Sequence, residues 1–183
     1  MLALDPTFRR TETLAASFVF LVGLATILSA WGFQIIGGFV PCALCLEQRI
    51  PYYVALPLVL VSLVSAWIDR PAWLARGTLA MAGLVFLYGA YLGIHHAGVE
   101  WKWWAGPNDC AVGGAMPMTA DNLLEQLESV RIVSCTEASW RFPAGWGLSF
   151  AGWNSVNSLV LGVVAIAAAA WKRPVQRSVS TFG

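Results

Sequence analysis

Long apolar runs separated by short charged segments dominate the chain, and their lengths are those of bilayer spans. Four stretches carry no charged residue: 14–33 with 20 residues, 50–68 with 19, 77–94 with 18, and 142–171 with 30, whose continuous apolar part starts near position 148. A helix rises about 1.5 Å per residue, so about 20 apolar residues cross a hydrocarbon core about 30 Å thick. The runs lack the period-2 alternation of strands, and a barrel needs at least about eight of them. The pattern predicts an all-α fold: a four-helix transmembrane bundle with spans near 14–33, 50–68, 77–94 and 148–171. Positions 1–183 then form a single integral-membrane domain with outer loops near 34–49 and 95–147. The first run is longer than a signal-peptide core of about 7–15 residues and ends in Trp31-Gly32-Phe33, so it reads as a retained anchor.

Composition agrees. The chain is 58% hydrophobic and 11% charged, against about 25% charged in average soluble proteins. A net charge of +1 offers no basic face for nucleic acid. Four spans put both termini on one side, with Arg9, Arg10, Arg70, Arg76, Lys172, Arg173 and Arg177. The longer opposite loops hold only Arg49, Lys102, Arg131 and Arg141. Basic residues in short loops stay cytoplasmic, so the termini are expected inside and the two long loops outside. Trp31, Trp67, Trp73 and Trp171 fall at span ends, where amphipathic rings anchor.

The candidate chemistry lies in the outer loops. Cys42-Ala43-Leu44-Cys45 sits in the first, and Cys110 and Cys135 in the second. A CxxC is a redox or a metal motif, and spacing alone does not choose. Placement favours redox: an oxidising compartment sustains disulfides, and a Cys₄ zinc site usually has two close pairs where this chain has one. A purely structural disulfide remains open for Cys110 and Cys135.

Arg49 follows Cys45 by four. If that segment is helical, both lie on one face at the membrane boundary, where a cation lowers a neighbouring thiol's pKa and stabilises an anion on a bound electron acceptor. The plainer alternative is a snorkelling flank of the second span. His95 and His96 end the third span and point about 100° apart, which excludes joint chelation and favours interfacial or hydrogen-bonding roles over a quinone or proton role. Thr119 to Val130 is expected to form a short amphipathic helix lying on the bilayer, with capping of the bundle as the alternative. Asn154, Ser155, Asn157 and Ser158 are expected to hydrogen-bond between helices.

With these features together, the chain resembles the disulfide bond formation protein B (DsbB) family. Cys42-x-x-Cys45-x-x-Gln48-Arg49 is similar to the family's first-loop signature. Cys135-Thr136-Glu137-Ala138-Ser139-Trp140-Arg141-Phe142, followed by Gly147-Leu148-Ser149, resembles its approach to the last helix, and Leu87-Tyr88-Gly89-Ala90-Tyr91 also fits. The spacing before Cys110 departs from the pattern. The resemblance implies redox-active disulfides Cys42–Cys45 and Cys110–Cys135 and an electron relay in a bacterial inner membrane. A periplasmic thioredoxin-like dithiol oxidase (the DsbA type) would engage Cys110, and Cys135 would attack Cys42. Cys45 would be released as thiolate to reduce a quinone, ubiquinone by preference, held near Arg49. Rival readings are a vitamin K epoxide reductase-like enzyme, which would carry its CxxC at the last helix, and a scaffold or transporter with structural disulfides. The spans contain no charge for an ion pathway.

Overall fold

The computed structural model describes residues 6–68, 71–106, 131–132, 134–138, 140–143 and 147–171. Its helices are α1 (Pro6–Ile35), α2 (Ala43–Glu47), α3 (Ile50–Trp67), α4 (Ala72–Glu100) and α5 (Phe150–Ala170). Among the described residues four helical stretches are long and apolar enough to cross a membrane: Thr11–Ile35, Ala43–Trp67, Ala72–Glu100 and Phe150–Ala170. Each run expected from the pattern becomes a helix. α4 continues past position 94 to Glu100, because no Pro or Gly-rich turn stops it and its polar end reaches the loop layer. The predicted helix at 119–130 lies outside the described residues, as does Cys110.

Side chains sort by what surrounds them. Val19, Tyr52, Ala55, Val59, Leu79, Ala82, Phe86, Leu161 and Ala165 pack into one core. Large apolar residues such as Leu21, Leu28, Val61, Leu84 and Val163 stay about half exposed on the outside. With lipid as solvent this outward face has no cost, and close helix contact comes from small residues and hydrogen bonds. Gly83 and Gly162 face each other across α4 and α5: a Cβ on Gly83 would lie 3.0 Å from the Gly162 carbonyl oxygen. Nearer the loops, a Cβ on Gly93 would lie 2.9 Å from the Ser155 backbone nitrogen, and Ser155 Oγ donates to the Ala90 carbonyl at 3.0 Å. Ser62 Oγ donates to the Ala75 carbonyl at 2.8 Å, tying α3 to α4. At the end of the bundle away from the cysteines, Arg76 pairs with Glu12 at 2.6 Å and donates to the Trp171 carbonyl at 3.0 Å.

Short strands organise the loop end. β1 (Phe39–Val40) pairs in parallel with β2 (Arg131–Ile132), with Phe39 opposite Arg131 and Val40 opposite Ile132. β3 (Arg141–Phe142) pairs antiparallel with β4 (Leu148–Ser149), which runs directly into α5. The first pairing joins the two cysteine-bearing loops two residues before Cys42 and three before Cys135.

Gly93→Val tests the α4–α5 seam. The new Cβ would meet backbone rather than a movable side-chain end, so the helices must separate. A loss of about 1–3 kcal/mol is expected, read as an earlier transition in unfolding by denaturing detergent followed by circular dichroism. Gly77→Val, where a Cβ meets nothing within 4 Å, should change the transition little.

Candidate functional site

The site is built at the loop end from α2, the end of α4, the segment after β2 and the start of α5. Cys42 is the N-cap of α2: its sulfur accepts the Cys45 backbone N–H at 3.2 Å. One turn of helix then returns Cys45 Sγ to 2.7 Å from Cys42 Sγ. Both are free thiols here. Cys135 is disulfide-bonded and fully buried, and packs with Cys42, Leu44, Cys45 and Val99 in one cluster. The sulfurs of Cys42 and Cys135 and a ring nitrogen of His96 lie within 4.8 Å of one another. A structural zinc site takes four donors, and of these three the Cys135 sulfur is engaged in a disulfide.

Electrostatics at Cys42 favour a thiolate. Its thiol is lowered to about 5, first by a hydrogen bond from Cys45, against the opposing effect of burial, and further by the neighbouring His96 ring and the Cys45 backbone N–H. His96 Nε2 is 3.9 Å from Cys42 Sγ, and its Nδ1 lies 2.6 Å from Gln48 Nε2. Gln48 in turn accepts from Asn154 Nδ2 at 2.7 Å. Glu100, one turn beyond His96, has Oε1 3.9 Å from His96 Nε2. Its Oε2 is buried with no hydrogen-bond partner among the described residues.

Beside the pair lies a cavity of about 450 Å³ between α1, α3 and α5. Phe33, Phe39, Trp140, Phe150 and Trp153 give it aromatic walls, and Cys45, His96 and Glu100 reach it at the loop end. Trp140 stacks on Phe150 at 4.7 Å between ring centroids. Arg49 lines the same cavity, donating to Gln34 Oε1 at 2.6 Å and to the Ala30 carbonyl at 3.3 Å, with its guanidinium 5.9 Å from the Trp31 ring. Deeper in the bundle, Thr26, Tyr52 and Asn157 add a polar patch: Asn157 Nδ2 donates to Thr26 Oγ1 at 3.0 Å and to Tyr52 Oη at 3.1 Å. Small-molecule sites are commonly about 300–1,000 Å³, mostly apolar with a few convergent polar groups, and this cavity fits a planar lipophilic ring with polar oxygens.

Of the residues singled out in the sequence, Cys42, Cys45 and Cys135 come together, Arg49 lines the cavity that Cys45 reaches and bonds to α1 rather than to a cysteine, and Cys110 lies outside the described residues. His96 is more than interfacial: it is 2% exposed and contacts Cys42, whereas His95 turns away to stack on Trp104 at 5.7 Å. Glu100 is not singled out by the sequence, because the His95-His96 pair ends the apolar run at position 94 and leaves Glu100 in a loop. The i, i+4 spacing of His96 and Glu100 was the available signal, and it becomes meaningful only once α4 is known to continue.

Fold and site together define a helical membrane protein whose paired cysteines face an apolar cavity, a class suited to thiol–disulfide chemistry. The chain belongs to the disulfide bond formation protein DsbB family, whose profile matches residues 12–168. It is accordingly a disulfide-forming oxidoreductase of the membrane. No curated protein and no solved structure matches the chain.

Titration of the reduced pair tests the charge on Cys42. Because its pKa is depressed, the thiolate is present above about pH 5 and is protonated as pH falls through that value. Thiolate ultraviolet absorbance should therefore decline around pH 5 in wild type, and Cys45→Ala, which removes the largest favourable contact, should move the midpoint upward.

Proposed function

We propose that the protein reoxidises a periplasmic thioredoxin-like dithiol oxidase of the DsbA type and delivers the electrons to a membrane quinone, with ubiquinone the preferred acceptor. The observation that carries this reading is the meeting of Cys42, Cys45 and the Cys135 disulfide at the rim of an aromatic cavity flanked by Arg49. The excess of basic residues on the terminal side supports cytoplasmic termini in a bacterial inner membrane.

In this relay Cys110 and Cys135 form the outer disulfide. A thiolate of the partner oxidase attacks Cys110, the outer bond breaks, and Cys135 leaves as a thiolate. Cys135 attacks Cys42 of the oxidised inner pair, and Cys45 leaves beside the cavity. Each exchange forms one S–S bond and breaks one, so electrons are conserved until they reach the cavity. A quinone supplies the two-electron, two-proton sink that an oxidase couple of about −120 mV demands. Arg49 and Gln34 would hold it at one end, with the polar patch around Asn157 and Tyr52 deeper in. Arg49 offers a permanent positive charge and a planar pair of donors where negative charge develops. The aromatic walls exclude water and keep the released Cys45 thiolate from side reactions.

Two measurements test the relay. Cys135→Ser should trap the partner on Cys110, so a mixed disulfide accumulates on non-reducing gels, and Cys110→Ser should abolish it. An adduct that forms equally without Cys110 would remove that residue from its role. Arg49→Gln should raise the apparent quinone KM by roughly 10- to 150-fold, the loss of a charge-assisted hydrogen bond, and Arg49→Lys should lose less. Wild-type quinone dependence in Arg49→Gln, at normal protein level, would return Arg49 to a helix flank.

A further inference from the structure

The polar groups buried between the helices run in one direction. Gln48 Nε2 faces the Leu44 carbonyl at 3.4 Å, and a carbonyl oxygen only accepts, so the amide NH₂ lies on that side. The same NH₂ faces His96 Nδ1 at 2.6 Å. On its other side Gln48 Oε1 accepts from Asn154 Nδ2 at 2.7 Å. Asn154 Oδ1 is then left to accept the Tyr52 hydroxyl at 2.8 Å, and Tyr52 Oη accepts from Asn157 Nδ2 at 3.1 Å. Since Nδ1 receives a hydrogen bond, the neutral imidazole must carry its proton on Nε2. That nitrogen points to Cys42 Sγ at 3.9 Å.

We propose that His96, locked in its Nε2–H tautomer by Gln48, is a catalytic hydrogen-bond donor to the Cys42 sulfur, and that Gln48, Asn154 and Tyr52 are positioning residues whose one-way donor chain makes Cys42 the favoured leaving thiolate in exchange with Cys135. The proposal deepens the relay reading and rests on it. In the step concerned, the partner's second thiol has attacked the mixed disulfide and released Cys110 as a thiolate, which attacks Cys135 of the Cys42–Cys135 disulfide: the Cys110–Cys135 bond forms, the Cys42–Cys135 bond breaks, and Cys42 leaves with the electron pair. No net oxidation occurs. A leaving thiolate that is better stabilised leaves faster, and a donor chain anchored in packed helices delivers that stabilisation without reorganisation.

The charged and titratable groups facing Cys42 are Cys45 on α2 and His96 and Glu100 on α4, beside the Cys135 disulfide. Glu100 is itself bound by the Ser149 hydroxyl and faces Arg141 of β3. Its Oε1 lies 3.9 Å from His96 Nε2, too far for an N–H···O hydrogen bond, whereas the same 3.9 Å is within reach of the larger Cys42 sulfur.

The test uses the full-length protein without quinone or partner, in a Cys45→Ala background with the outer disulfide intact, so that Cys42 is the thiol that titrates. His96→Phe should raise the thiolate midpoint by about one to two pH units, the loss of a hydrogen bond to a charged acceptor. Gln48→Leu should raise it by less, and His96→Gln, which retains an N–H donor, should recover part of the shift. In wild type, ¹⁵N resonances should report His96 with a bare Nδ1 and a protonated Nε2, a reading that needs no variant to fold. An unchanged midpoint in folded His96→Phe, or a protonated Nδ1 in wild type, would overturn the proposal. Because neither measurement involves electron transfer, failure here leaves the quinone route standing. Failure of that route in the Arg49 variants leaves this titration readable.

Discussion

Polar groups buried in a membrane bundle have no water to fall back on, and the architecture of this protein follows from that constraint. Tyr52, Asn154, Asn157, Ser155 and Ser158 lie among apolar helices, and each finds its partner on another helix or at a neighbouring backbone carbonyl. Satisfying them fixes the rotation of α3, α4 and α5 relative to one another. The same bonds hold Gln48 and His96 against the cysteine pair. One set of interactions therefore stabilises the bundle and orients the chemistry.

Small residues make those bonds possible. Gly83, Gly93 and Gly162 allow α4 and α5 to approach until backbone meets backbone, which brings Ser155 within reach of the Ala90 carbonyl. In lipid there is little hydrophobic gain from helix contact, so close packing and hydrogen bonding carry association. α1 joins less closely, and the cavity opens where it stands apart from α3 and α5. That gap lies beside Cys45 and Arg49.

The outer loops depend on a different device. Two parallel backbone pairs between β1 and β2 hold the segments leading to Cys42 and Cys135 side by side. Disulfide exchange demands approach of three sulfurs, and distant loop segments would otherwise lose considerable entropy in meeting. The bulky Trp140 and Phe150, stacked at the start of α5, close the cavity on the loop side.

Much of this was legible in the linear order of residues. Span lengths, the CxxC beside Gln48 and Arg49, and the segment from Cys135 to Ser149 pointed to four helices and to the DsbB family, because bilayer thickness and disulfide chemistry act on local spacing. The hydrogen-bonding residues of α5 were recognisable as polar groups in an apolar run. Their partners were not, since Asn154 meets Gln48 and Asn157 meets Thr26 only through the rotation of packed helices. The extension of α4 to Glu100 was hidden because the polar His95-His96 pair ends the apolar run at position 94, while backbone hydrogen bonding carries the helix onward. That extension decided the role of His96, burying it on the cysteines while its neighbour His95 faces Trp104. Local sequence determined which groups the chain carries into the membrane; tertiary packing decided which of them share a proton, because contact between distant segments depends on the register and rotation of whole helices.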